Sequence, residues 1–320
     1  MALELSCAFA TGLESHEHAR IAESLGYRRA FFYDSPALYP DVWAQLCRAA
    51  ERTERIVLGP GVLVPSNRHP MTNAAGIGTL ASLAGEERVV VAVGSGFTGR
   101  MAMGKRALPW KQVAEYVRTL QGLLRGERVG WDGAQIEMLH SEGFAPARPI
   151  EVPFVIGAAG PKGIAVAKEL GDGVFGAAPI EGFDWSIVLT YGTVLEDGED
   201  PGSERAIAAA GHAAAVRLHY GAEHGLLDER GQEWLSAYDD VPEEERHLAM
   251  HYGHLVFVHD RDRTFITGNL LTSFRLALPA AAWPEQLAQL EEGGASEIAY
   301  QPAGPDIPRE LEAFAAAARG

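Results

Sequence analysis

The chain has 320 residues, 47% of them hydrophobic, enough for a large core and within the size range of single-domain α/β barrels. With 43 acidic against 27 basic residues its formal net charge is −16, which repels phosphate backbones and anionic lipid and excludes nucleic acid and membrane as expected partners. The opening MALELSCAFATG has no basic stretch and carries Glu4, so it reads as a first strand rather than a leader, and no apolar run is long enough to span a bilayer.

Strand-like and helix-like segments then alternate. Glu4 to Phe9 reads as a strand, and Ser15 to Leu25 as a helix with Ser15 as its N-cap and Gly26 as its stop. Arg29 to Tyr33 is the second strand and Asp41 to Thr53 the second helix; Arg55 to Leu58 is the third strand, entering Gly59-Pro60-Gly61. Cys7 and Cys47 fall on a predicted strand and helix and read as small buried hydrophobes in a reducing, cytoplasmic compartment. Met71 to Leu83 is helical, Val89 to Val93 a strand, and Trp110 to Leu124 a helix. Pro153 to Ile156, Gly173 to Phe175, Ala213 to His219 and Ser296 to Tyr300 complete eight strands, with helices over Lys162 to Leu170 and Pro308 to Ala318. Eight strands with helical crossovers predict a parallel (β/α)8 TIM barrel, one domain over 1–320, with an insertion at about 220–282 between strands seven and eight. Chemistry is then expected in the loops after the strands.

Two of those loops are rich in glycine. Gly94-Ser95-Gly96-Phe97-Thr98-Gly99 matches the G-x-G-x-x-G of dinucleotide folds, but the next convincing helix start is Pro109-Trp110, and the motif lies in roughly the fourth βα unit rather than the first. Gly94 and Gly96 would instead let another molecule approach the backbone, with Arg100 placed to pair a phosphate. Gly157-Ala158-Ala159-Gly160 leads to a helix opening at Pro161-Lys162, where uncovered N–H groups at a positive dipole end suit an anion; a tight turn needing glycine for its backbone angles is the plainer account. In GPGVLVPSNRHP, residues 59–70, two glycines and two prolines predict a rigid loop over the barrel mouth, and His69 is expected to be structural.

The order YDSPALYPDVW, GPGVLVPSNRHP, VAVGSGFTGR, GAAGPKG resembles the luciferase-like flavin and deazaflavin superfamily, closest to the branch with methylene-tetrahydromethanopterin reductases and F420-dependent glucose-6-phosphate dehydrogenases. The resemblance covers the first half of the chain well and the last βα unit loosely. It implies a (β/α)8 barrel whose mouth holds a flavin-type ring against a bulge in the third strand, with Gly61–Val62 at the place of a non-prolyl cis peptide. It implies phosphate contacts at Gly94, Ser95 and Gly96 and at Ala159, Gly160 and Pro161, with Ala158 and Phe97 beside them, and a homodimer. An acidic cofactor tail would meet Arg100, Lys162 and basic residues around Arg68.

The chain departs from that branch where its histidine base follows an aspartate: here the pair is Asp34-Ser35, and an unassisted hydroxyl is a poor base. The branch's acid after the fourth-strand glycines is Phe97 here, which disfavours a sugar phosphate and leaves an apolar pocket of Phe9, Tyr33, Phe97, Met101 and Met103, or core fill at Phe9 and Tyr33. Asp34 would orient the ring or form a salt bridge, and proton handling would fall to His219, His251 or His254. No metal is expected: His247 and His251 are spaced i, i+4, but an H-E-x-x-H motif is missing. The expected activity is hydride transfer between F420 and a small, apolar organic substrate. An FMN-dependent monooxygenase and a non-catalytic flavin-binding protein are the alternatives.

Overall fold

Short β-branched and aromatic runs form eight parallel strands in this computed structural model, which describes residues 3–320. They are β1 (Glu4–Phe9), β2 (Arg29–Phe32), β3 (Val57–Pro60), β4 (Val91–Gly94), β5 (Phe154–Gly157), β6 (Gly173–Gly176), β7 (Ser186–Tyr191) and β8 (Glu297–Gln301). Their order around the sheet is β3-β2-β1-β8-β7-β6-β5-β4. Bridges Leu58–Val89 and Leu63–Val93 join the two ends, with Leu63 N donating to Ala92 O at 2.7 Å, so the sheet closes on itself. The expected (β/α)8 barrel is the observed fold.

The helices are α1 (Ser15–Ser24), α2 (Val42–Ala50), α3 (Pro70–Ala84), α4 (Phe97–Met101), α5 (Trp110–Arg125), α6 (Pro161–Leu170) and α7 (Glu204–His224), followed by α8 (Glu229–Ser236), α9 (Arg246–His251), α10 (Asp260–Arg263), α11 (Gly268–Ser273), α12 (Trp283–Glu292) and α13 (Ile307–Arg319). Local chemistry sets their ends. Asp41 caps α2, Pro70 opens α3, and Gly126 in the left-handed region stops α5. Strand residues alternate between two cores. Ala8, Phe31, Val155, Phe175, Ile187 and Ala299 fill the barrel, while Cys7, Phe9, Phe32, Ile156 and Tyr300 pack outward against the helices.

Three expectations fail. Ala213 to His219 is not a strand but the second half of α7, capped by Ser203 and stopped by Gly225; its alanines favour a helix. The seventh strand is Ser186–Tyr191, and residues 177–185 reach it from β6 with no crossover helix, so the helix that usually separates two strands gives no signal there. The excursion between β7 and β8 therefore spans 192–296. Finally, α4 begins at once after Gly96, so Gly99 does lie in a helix; five residues are too few to show a period.

The excursion folds back over the mouth. Tyr39 Oη donates to His254 O at 2.8 Å, Gln301 Nε2 donates to Leu255 O at 3.0 Å, and Leu255 joins the interior core. Leu255 sits at φ 60°, a left-handed conformation that costs a leucine energy and that these contacts hold in place.

Candidate functional site

The two glycine loops are neighbours because Gly94 and Gly157 pair in the β4–β5 ladder. The third strand bulges beside them, and the Gly61–Val62 peptide is cis. A Cβ at Gly94 would stand 2.9 Å from Val62 Cγ2, and one at Gly157 would stand 2.8 Å from Val62 Cγ1. The side chain that requires a bare Gly94 is therefore Val62 of this chain. Gly96 has φ +78°, and a Cβ on it would lie 2.4 Å from Val64, so the bulge docks along the whole loop. Ser95 is half-buried at its centre.

The start of α6 is open. Ala158 is buried, with its N–H donating to Phe175 O, whereas Ala159, Gly160, Pro161 and Lys162 are exposed. No side chain caps the helix, and a Cβ on Gly160 would meet nothing within 4 Å. The helix start, exposed from Ala159 to Lys162, is thus open at a positive dipole end. Arg100 is tied down: its Nε donates to Arg106 O at 2.5 Å and Nη1 to Ser66 Oγ at 2.6 Å, both neutral acceptors that leave its charge uncompensated.

Asp34, 3% exposed, lies two residues beyond the end of β2. Its Oδ1 accepts from Arg68 Nη1 at 2.5 Å, and Arg68 Nη2 reaches Asp41 at 2.7 Å. Arg68 is thus bound by two carboxylates and is not available to an acidic cofactor tail. Burial pushes the Asp34 carboxyl above its usual range, and the Arg68 guanidinium works against that rise. Asp34 Oδ2, Tyr33 Oη and Asn67 Oδ1 are buried without a partner, while Asn67 Nδ2 donates to Asp34 O. The unpaired acceptors of Asp34 and the neighbouring Asn67 suit the N–H groups on the rim of a flavin-type ring. Asn67 escaped the sequence reading, because nothing but its place two residues beyond a proline marks it. Ser35 is half-buried, its Oγ 2.8 Å from where a Cβ on Gly99 would stand. His69 accepts from Met71 N at 3.2 Å as the cap of α3, the structural role expected. Phe9 lies in the outer core rather than a pocket, and Tyr33 is 8% exposed in the inner one.

His219 is on α7, not at a strand end, and is grouped with His251 and His254 rather than with Asp34 or Ser35. Tyr39 links the two groups, its ring 6.1 Å from Tyr33 and its hydroxyl on His254 O. Phe97 stacks on His224 at 5.8 Å and touches Tyr220, so the loop after β4 is covered by the end of α7. His247, paired with His251 by spacing, instead faces Gly104.

The family model described as luciferase-like monooxygenase matches residues 13–261. The chain belongs to this family. Among curated relatives it is 31% identical over 166 residues to 5,10-methylenetetrahydromethanopterin reductase of Archaeoglobus fulgidus, 50% of this chain and 48% of that one. It is 34% identical over 173 residues to F420-dependent glucose-6-phosphate dehydrogenase of Beutenbergia cavernae, 48% and 49% of the two chains. The matches thus span about half the length of these relatives. In fold it is similar to an F420-dependent secondary alcohol dehydrogenase solved with an F420–acetone adduct, with a TM-score of 0.66, 19% identity and full coverage of both chains. Among the described residues, no helix is long and apolar enough to cross a membrane.

Proposed function

We propose that this luciferase-like family member is an F420-dependent oxidoreductase that moves a hydride between the deazaflavin and a small, apolar organic substrate. One observation carries the reading: Gly94 pairs with Gly157, which sets the β4 loop beside the open, uncapped start of α6. The N–H groups of Lys162 and Gly163 hold the cofactor's phosphate, with Ser95 and Gly96 alongside. Val62 offers the ring an apolar contact, and Asp34, Asn67 and Tyr33 satisfy its polar rim. F420, when bound, supplies the carbon that gives or takes the hydride. Asp34 Oδ2 is the chain's candidate for holding the accompanying proton, because burial raises its affinity for one. Ser35 and Phe97, standing where the dehydrogenase branch has a base and an acid, favour an apolar substrate over a sugar phosphate. A cytoplasmic homodimer belongs to the same proposal, resting on the family and on a chain whose two cysteines are both free.

Fluorescence titration with F420 and separately with FMN tests this reading, using wild type and Gly160→Asp. Gly160 has extended angles, φ −102° and ψ 169°, and open space around it, so aspartate there serves as an N-cap and leaves the fold intact. Its charge and side chain occupy the phosphate seat, and F420 binding is expected to weaken at least about tenfold with the melting temperature unchanged or raised. Preference for FMN moves the chemistry to oxygen and the monooxygenase reading. F420 binding without turnover across a panel of ketones, enones and imines supports the non-catalytic reading, and binding of neither cofactor overturns the proposal.

A further inference from the structure

The excursion over the mouth gathers three imidazoles that hydride transfer does not use. His219 comes from α7, His251 ends α9, and His254 follows three residues later; all are buried, at 6%, 4% and 6% exposure. One nitrogen of each lies within 4.8 Å of the others. His251 Nδ1 and His254 Nδ1 are 3.4 Å apart, close to the spacing of about 3.3 Å that tetrahedral zinc imposes on two nitrogens at about 2.0 Å. Both ring nitrogens of His219 and Nε2 of His254 have no hydrogen-bond partner. Buried polar atoms are rarely left so; His219 Nε2 turns toward Asp262, and His219 Nδ1 is the orphaned atom that a shared ligand would satisfy.

We propose that His219, His251 and His254 bind a divalent transition-metal cation of the zinc type, with its fourth position open to the adjoining cavity. His219 and His251 line that cavity of about 330 Å3, together with Met101, Leu235 and Met250. Behind His219 stands Asp262, its Oδ2 3.7 Å from Nε2, which leaves Nδ1 to face the ion. Trp234 Nε1 and Tyr238 Oη donate to Asp262 Oδ1 at 2.6 and 2.7 Å, and the Trp234 ring stacks on His219 at 5.4 Å. At 3.7 Å Asp262 is a charged neighbour of His219 rather than its hydrogen-bond acceptor, on the side from which a carboxylate orients metal-binding histidines in known sites. Lys105, Arg106 and Arg246 on the cavity wall oppose a second cation and favour an anionic fourth ligand. A histidine cluster that only hydrogen-bonds internally is the competing account, and it predicts no metal affinity.

The test is cobalt titration of tag-free, chelator-stripped full-length chain near neutral pH, read by visible absorption, with zinc displacement and thermal melts alongside. The expected result is one cobalt per chain, the ligand-field bands of a four- or five-coordinate site, loss of those bands on adding zinc, and a higher melting temperature with zinc. His251→Asn and His254→Asn should each weaken binding at least about a hundredfold, while His140→Asn, an exposed histidine beside Arg148, should not. If either ligand variant fails to fold, the wild-type spectrum and the zinc-dependent melt still decide. No bands and no shift in melting, or unchanged binding in a folded His251→Asn or His254→Asn chain, would overturn the site. No cofactor or turnover enters this measurement, so its failure leaves the hydride-transfer reading untouched.

Discussion

Val62 is the residue around which the mouth is built. Its two methyl groups stand against the α-carbons of Gly94 and Gly157, so alanine at either glycine creates an overlap with a branched side chain that has little rotamer freedom. Gly94→Ala is expected to cost about 1–3 kcal/mol, the usual range for overpacking. Val62→Ala should remove most of that penalty, giving a coupling of about 1 kcal/mol or more in a double-mutant cycle read by urea unfolding. Additive effects would show that Val62 is not the neighbour those glycines accommodate. That glycine was needed in these loops is legible in the motif. The partner that demands it lies on another strand, and no local pattern could name it. The same holds for Arg68, which reads as a loop cation and proves to be the counter-ion of Asp34.

Among the elements, α7 departs most from the sequence reading and has its own physics. Its N-cap Ser203, its alanine runs and its αL stop at Gly225 are all helix signals, and the stretch AAAVRLH misleads only when lifted out of them. Long and apolar, it carries His212, 1% exposed, with its Nδ1 unpartnered. Burial lowers the pKa of His212 to about 4, and that of His251 likewise. The unfolded chain therefore binds more protons than the folded one once the pH falls below the ordinary histidine value of about 6.5. The stability these neutral imidazoles confer is complete above that pH and is lost as the pH drops toward about 4, at up to about 3 kcal/mol per group. Urea midpoints measured between about pH 7 and pH 4 should fall, and His212→Asn should flatten the curve. An unchanged slope in that variant would refute the assignment.

At the scale of the whole barrel, the end opposite the mouth is tied by one buried ionic group. Glu297, at the start of β8 and fully buried, accepts from Arg29 of β2 at 2.7 Å and from Trp185 ahead of β7 at 2.7 Å; Arg29 also meets Glu4 of β1 and lies 4.6 Å over the Trp185 ring. Burial raises the Glu297 pKa against the pull of Arg29. Arg29→Ala strands a carboxylate in the core and should cost about 3–5 kcal/mol, whereas Glu297→Gln, which removes the charge and keeps the shape, should cost clearly less. Equal losses in chemical unfolding would contradict this account. These residues tie four neighbouring strands drawn from both ends of the chain, so the network fastens the first strands of the barrel to the last.

By itself the sequence determined the alternation of strands and helices, hence a barrel, and the loops where backbone comes close. Both are local properties, written as hydrophobic period, caps and glycines within a few residues of each other. The tertiary structure alone decided that Ser186–Tyr191 supplies the seventh strand, that Val62 fills the space beside Gly94, and that His219 joins His251 and His254. Each of these depends on segments far apart in the chain meeting over the mouth. A barrel brings every strand end to one rim, and only closure of the rim chooses which side chains face one another there.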